Sequence, residues 1–213
     1  MSAANPLLAD TLPAFPDIRP EHALPAIETR LAEYRAVLDG IESGRAPPAS
    51  ETLTREVLAD DALALAWSSV GHLHAVSNTP AWREALAACL EKITAFYTAR
   101  GQNRAVFQCW KAVSRAPSFS DQPPAFRRMV AEELIDFRQS GVDLAEAPRA
   151  RFATISMRLS ELGHAFGNNV LDATEGWYQD FDDAGALAGL PQSELETLAA
   201  KARDAGVDGW RAD

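Results

Sequence analysis

The chain has 213 residues, of which 47% are hydrophobic and 23% charged, a composition typical of one globular unit or at most two small ones. Its 30 acidic and 20 basic residues give a net charge of −10, which argues against nucleic acid or an anionic membrane surface as the main partner. Two cysteines, Cys89 and Cys109, lie in apolar-periodic segments, as expected of free thiols in a reducing compartment. Neither a membrane span nor a signal peptide is recognisable, so we expect a cytoplasmic protein.

The first 19 residues are predicted to form an extended arm, because prolines recur among scattered apolar residues. A helix is predicted to begin at Pro20, since proline is tolerated in the first helical turn. Apolar residues then recur at intervals of three and four positions, which is enough for one face of a bundle helix: Leu24, Ile27, Leu31, Tyr34, Leu38 and Ile41.

Four further helices are predicted from breakers, caps and periodicity. The second runs from about Thr52 to Val76, and the third opens at Thr79 and Pro80, an N-cap and first-position pair, and ends near Gly101. A shorter helix covers about residues 103–114. Another follows a proline-rich loop, uses Phe126, Val130, Leu134 and Phe137 on one face, and ends near Gly141.

The clearest single-face pattern lies between residues 151 and 177, where one long helix is predicted. Its apolar stripe is expected to be covered by other elements and consists of Phe152, Ile155, Leu159, Leu162, Phe166 and Val170. A last helix is predicted over about residues 191–205. No stretch alternates long enough for a sheet, so we predict an all-α fold, an array of six or seven antiparallel helices with an extended N-terminal arm.

Three regions are predicted along the chain. Residues 1–19 form the arm, residues 20–176 the helical domain, and residues 177–213 a loop and C-terminal helix.

The four histidines give no metal site. They are His22, His72, His74 and His164, and none is followed by the glutamate of the zinc-peptidase HExxH motif. Two residues apart on a helix, His72 and His74 point away from each other. With only two cysteines besides, no closed set of metal ligands is apparent, and we predict neither a metal site nor catalytic residues in this chain.

Other candidate groups receive structural interpretations. The acidic pairs Asp60-Asp61, Glu132-Glu133 and Asp182-Asp183 are interpreted as solvated surface, because adjacent helical residues face different ways. Asn168-Asn169 is unusual within a helix; it is either buried to hydrogen-bond a neighbouring segment or marks a bend. No Gly-rich phosphate loop and no G-x-S-x-G elbow occurs.

Three stretches nevertheless resemble one family. NPLLADTLPAFPDIRPEHALPAIETRL, HLHAVSNTPAWREA and above all RLSELGHAFGNNVLDATEGW, with the later LAGLP, are similar to the N-terminal region of the thimet oligopeptidase family of zinc metallopeptidases. The resemblance implies a larger, mostly helical peptidase with a deep channel that admits only short peptides. It also implies a zinc ion, held by an HExxH helix and a further glutamate in the C-terminal part, where the motif's glutamate activates water.

From this resemblance we expect a domain that forms part of the channel wall and is inactive by itself. The resemblance also implies that residues 177–213 begin a link to a catalytic domain. No zinc or other cofactor is expected in this chain, and its expected partners are short peptides and the C-terminal catalytic domain. Which residues bind substrate stays unknown. The alternatives are a free-standing helical module that binds peptides or proteins without cleaving them, a chain that pairs with a separately encoded catalytic half, and, least favoured, a self-contained enzyme.

Overall fold

The computed structural model describes residues 5–9, 11–45 and 49–213. This part of the chain is dominated by helices, which make up 76% of the structure, and it contains one small two-stranded ribbon; the predicted all-α class is confirmed. The elements are α1 (Pro20–Glu42), α2 (Ala49–Ser77), α3 (Pro80–Gly101), α4 (Arg104–Ser114), α5 (Pro124–Gln139), α6 (Glu146–Glu175), β1 (Gln179–Phe181), α7 (Gln192–Asp204) and β2 (Trp210–Ala212).

Local capping chemistry fixes the helix starts. Pro20 is the first residue of α1, and Thr79 caps α3 by accepting a hydrogen bond of 3.3 Å from the backbone N–H of Trp82. The side chain of Asn103 accepts hydrogen bonds from two backbone N–H groups in the first turn of α4. The predicted start of α3 is therefore confirmed, together with its physical cause.

The core lies among α1 to α5. The predicted inner faces of α1, α3 and α4 are largely buried, with Leu31 and Tyr34 of α1 both 1% exposed. Burying each such side chain contributes about 1.5–3 kcal/mol to stability. Every predicted inner residue of α3 and α4 is buried: Trp82, Leu86, Cys89, Ile93, Phe96, Val106, Phe107, Trp110 and Val113.

Before α1, the described part of the arm has two short 3₁₀ turns, at Pro6–Leu8 and Phe15–Asp17. It is held against α1 by Arg30, which donates a hydrogen bond of 2.9 Å to the carbonyl of Leu8. Residues 1–4 and 10 of the predicted arm lie outside the described residues.

The chain divides into two compact units, Met1–Ser160 and Glu161–Asp213, at a point within α6. The boundary that we predicted at residue 176 stays a prediction. No helix in the described part of the chain is both long and apolar enough to cross a membrane.

The second unit contains a ribbon that the sequence did not predict. Its strands β1 and β2 are antiparallel, with Phe181 opposite Trp210 and Asp180 opposite Arg211. The Arg211 guanidinium donates two hydrogen bonds, of 2.7 and 2.8 Å, to the Asp180 carboxylate and lies over the Tyr178 ring. Strands of three residues are too short to show a period-two pattern, so periodicity could not detect them.

One fold prediction is wrong for the described structure. The apolar stripe of α6 was expected to be covered, but five of its six residues are exposed, and α6 has no buried residue. The exposed members are Ile155 (43%), Leu159 (64%), Leu162 (48%), Phe166 (71%) and Val170 (46%). The helical period was identified correctly, but periodicity alone does not say which part of a protein provides the cover.

Candidate functional site

A polar cluster lies inside the helical core of the first unit. It draws side chains from all of α1 to α5, and we call it the Glu56 cluster: Tyr34, Glu56, Asp60, Tyr97, Arg100, Trp110 and Glu133. Three carboxylates thus share the surroundings of one guanidinium.

Glu56 is at the centre of the cluster and is only 1% exposed. Its Oε1 atom accepts hydrogen bonds from the Tyr34 hydroxyl at 3.0 Å and from Arg100 Nε and Nη2 at 2.9 and 2.6 Å. Its Oε2 atom accepts one of 2.6 Å from the Trp110 indole N–H. Every donor around Glu56 therefore suits a carboxylate, which offsets the cost of burying its charge.

Arg100 supplies the compensating charge. It also forms an ion pair with Glu133, and its guanidinium lies 4.4 Å from the centroid of the Phe137 ring. Burial alone would lower the pKa of Arg100, but its interactions with Glu56, Tyr34 and Glu133 together outweigh burial, so the pKa is raised. Burial raises the pKa of Glu133, and the Arg100 charge opposes that rise.

Asp60 lies at the edge of the cluster, where its carboxylate accepts a hydrogen bond of 2.8 Å from the Tyr97 hydroxyl. Burial raises the pKa of Asp60, while the hydrogen bond from Tyr97 and the charge of Arg100 act in the opposite direction. The folded chain therefore holds the Asp60 proton more tightly than the unfolded chain does. This group consequently lowers stability as the pH rises from its ordinary value of 3.8 through the raised one.

The D60N substitution is expected to change the pH profile of stability. Asparagine keeps an acceptor for Tyr97 but cannot ionise, so the variant should gain stability relative to wild type as the pH rises above 3.8. Urea unfolding at a series of pH values measures this difference. The control is D61N at the next, exposed position of α2, which corrects for the loss of one negative charge. A difference that stays flat or falls with pH would contradict the prediction.

The Glu56 cluster borders a small cavity of about 160 Å³, which is also lined by Val57 and Met129. Both oxygens of Glu56 are already hydrogen-bonded to protein donors, and Arg100 is shared between two carboxylates. Such a network positions helices, because its charged and polar groups depend on partners from other helices. We therefore interpret the Glu56 cluster as a structural tie between five helices.

The structure keeps the four histidines apart. His22 accepts a hydrogen bond from the backbone N–H of Arg19 at the start of α1, and the exposed His72 lies against the ring of Phe15. His74 is buried, and His164 contacts Asn168 at 3.3 Å on the same helix. Among the described residues, no group of three or more His, Cys, Asp or Glu side chains could hold a metal ion. Cys89 and Cys109 are both free thiols.

The acidic pairs were interpreted correctly in part. Asp61 and Glu132 are exposed, as expected, but Asp60 and Glu133 face the Glu56 cluster. Adjacent helical residues do face different ways, and in these two pairs one of the directions is inward. Sequence analysis missed both Glu56 and Arg100. For Glu56 there was a signal, because this glutamate lies between Leu53 and Val57 on the apolar side of α2.

Asn168 and Asn169 differ in exposure. Asn168 is half-buried and directs its amide to His164 one turn earlier, while Asn169 is exposed. The described hydrogen bond of Asn168 therefore stays within α6 and does not join a neighbouring segment.

The second notable surface is on α6 within the second unit. Leu162, Phe166 and Val170 recur every four residues and are 46–71% exposed. Gly163 and Gly167 alternate with them, and at each of these glycines an added Cβ would meet no atom within 4 Å. We call this surface the Phe166 face and define it by Leu162, Gly163, Phe166, Gly167 and Val170. Apolar side chains exposed in a row often mark a surface that another protein element covers.

Comparison with known proteins shows which family this helical chain is similar to. Residues 27–149 match the model of the neurolysin/thimet oligopeptidase N-terminal domain. The chain is 35% identical over 212 residues to Oligopeptidase A of Haemophilus influenzae and 36% identical over 208 residues to Oligopeptidase A of Salmonella typhimurium. It is 29% identical over 212 residues to Probable cytosolic oligopeptidase A of Arabidopsis thaliana.

The chain belongs to the neurolysin/thimet oligopeptidase family, in which it corresponds to the N-terminal region of Oligopeptidase A. The three alignments cover 97–99% of this chain but only 30–31% of each relative. The chain thus spans just under a third of the length of the relatives it matches. The family is one of metallopeptidases that act on peptides.

Proposed function

We propose that the chain is the N-terminal domain of a zinc metallo-oligopeptidase of the oligopeptidase A type. In this proposal its helices form part of the wall of a channel that restricts substrates to short peptides, and the chain does not cleave peptides by itself. The observation that carries the proposal is the alignment, which covers 99% of this chain and 31% of the Haemophilus protein. A region matched so completely within a longer enzyme is expected to serve that enzyme.

The residues of this chain do not fit a zinc site. Its four histidines lie apart, and no described cluster supplies a set of three ligands. In the proposed enzyme, zinc would be bound by the portion of the relatives that this chain does not match. This chain contributes a rigid wall instead, held together by the Glu56 cluster.

The proposed partners are short peptides and the catalytic portion of the same enzyme, in the cytoplasm. Support for this location comes from the two free thiols and from one relative whose name describes it as cytosolic. A wall of packed helices restricts access by size, because folded proteins cannot enter a narrow channel.

The proposal predicts that peptide cleavage requires both portions. A quenched short peptide is incubated with zinc and either this chain alone, the remaining portion of Haemophilus Oligopeptidase A alone, or both together. We expect cleavage only in the mixture, and no cleavage of a folded protein. Fluorescence increase measures the rate, and removal of zinc by a chelator is expected to abolish it.

Two outcomes would contradict the proposal. Cleavage by this chain alone would mean that it contains a complete active site. Peptide binding without cleavage in any combination would favour the free-standing binding module.

A further inference from the structure

Gly163 and Gly167 are not explained by anything that surrounds them. Both lie in the interior of α6, where glycine is among the least favourable residues, and an added Cβ at either would meet no atom within 4 Å. Gly101 shows the contrast, because a Cβ there would lie 2.6 Å from the Cβ of Ser140. At Gly101 the described structure requires glycine, whereas at Gly163 and Gly167 it leaves open space.

The two glycines lie directly beside the exposed apolar residues. At 100° per residue, Leu162, Phe166 and Val170 fall within one narrow sector of α6, and Gly163 and Gly167 border that sector. A row of large side chains next to a row without side chains makes a ridge and a groove. This is the surface against which a second helix packs closely, because its ridge can enter the groove.

The Phe166 face also lacks charge. The ten residues from Leu162 to Leu171 include no Asp, Glu, Lys or Arg, although the whole chain carries 50 such residues. The one titratable residue there, His164, contacts Asn168 away from the Phe166 face. An exposed, uncharged and apolar segment of this kind is costly in water and is typical of the centre of an interface.

Building on the proposed function, we propose that the Phe166 face is the docking surface for a helix from the portion of the enzyme that this chain does not match. That portion is more than two thirds of each relative, so it is large enough to supply the cover. The same sector of α6 continues into the exposed Ile155 and Leu159, and a second copy of this chain would still have to bury roughly 800 Å² on each partner to cover it stably. A segment of the same polypeptide needs no such area, since its effective concentration is high.

The test uses a polypeptide in which this chain is joined to the remaining portion of Haemophilus Oligopeptidase A. The double variant G163A/G167A is compared with the control G40A/G71A, whose added Cβ atoms would also meet nothing within 4 Å. In the 213-residue chain both double variants should raise the unfolding midpoint by roughly 4–8 °C, because alanine favours the helix. In the joined polypeptide the control should still raise the unfolding midpoint. G163A/G167A should lower the midpoint there, because two methyl groups fill the groove that the docked helix would occupy.

A second measurement does not depend on stability. The variant F166C should react with a thiol reagent at least tenfold more slowly in the joined polypeptide than in the 213-residue chain. Equal reaction rates of F166C in the two polypeptides would overturn the docking assignment, and so would a raised unfolding midpoint of both polypeptides with G163A/G167A. Either result would leave the proposed function intact if the wild-type joined polypeptide cleaves peptide. If the 213-residue chain forms a dimer that F166E abolishes, the Phe166 face binds a second copy of the chain. That result would overturn the proposal that a helix from the unmatched portion docks there. Failure of the wild-type joined polypeptide to cleave, with F166C still protected, would count against the proposed function alone.

Discussion

E56A is expected to destabilise the first unit by about 3–5 kcal/mol, a large part of the stability of an ordinary domain. Removing this carboxylate leaves the donors of Tyr34, Arg100 and Trp110 without their shared acceptor in a site that is 1% exposed. The cost is that of buried polar groups losing a partner, and it exceeds the net value of any single hydrogen bond. Urea unfolding followed by far-UV circular dichroism measures it.

Two further variants separate the causes. E56Q keeps the size of the side chain but places an NH₂ group against hydrogen-bond donors on one side. It should therefore lower the free energy of unfolding by roughly 1–3 kcal/mol. D61A, at an exposed position of the same helix, should change stability by less than about 0.5 kcal/mol. If E56A lowered the free energy of unfolding no more than D61A does, Glu56 would not hold the five helices together.

The helices were predictable because their signals are local. Pro20, the Thr79–Pro80 pair and Asn103 each act within a few residues of a helix start, and the starts of α1, α3 and α4 follow from them. The buried faces of α3 and α4 were predictable for the same reason, since a helical period is visible within one segment.

The Glu56 cluster was not predictable from local signals. The donors to Glu56 come from residues 22, 44 and 54 positions away, so nothing near it in sequence shows that its charge is matched. A lone glutamate is normally interpreted as surface, and the same reasoning misplaced Asp60 and Glu133. Burial of a charge depends on tertiary partners, and a single sequence does not reveal them.

The α6 stripe shows the opposite situation. Its period predicted an apolar face correctly, but the expectation that this chain covers the face was wrong. An amphipathic pattern establishes that cover is needed and leaves open which polypeptide segment provides it.

G209A is expected to abolish pairing between β1 and β2. Gly209 has φ of +107°, a conformation that costs a residue with a side chain about 1–3 kcal/mol. An added Cβ would lie 2.1 Å from the backbone carbonyl oxygen of Phe181, so the strands could not keep their register. Hydrogen exchange of the peptides covering residues 177–182 and 208–213 should show loss of amide protection in both strands.

G206A is the matched control for this variant. Gly206 also has a positive φ, +71°, but an added Cβ there would meet nothing within 4 Å, so only backbone strain remains. We expect G206A to lower stability by roughly 1–2 kcal/mol while protection of the ribbon persists. Equal protection in both variants would mean that the close approach of Gly209 to Phe181 does not determine the pairing. Loss in G209A alone would show that a single backbone contact sets the register of a ribbon too short to be recognised from its sequence pattern.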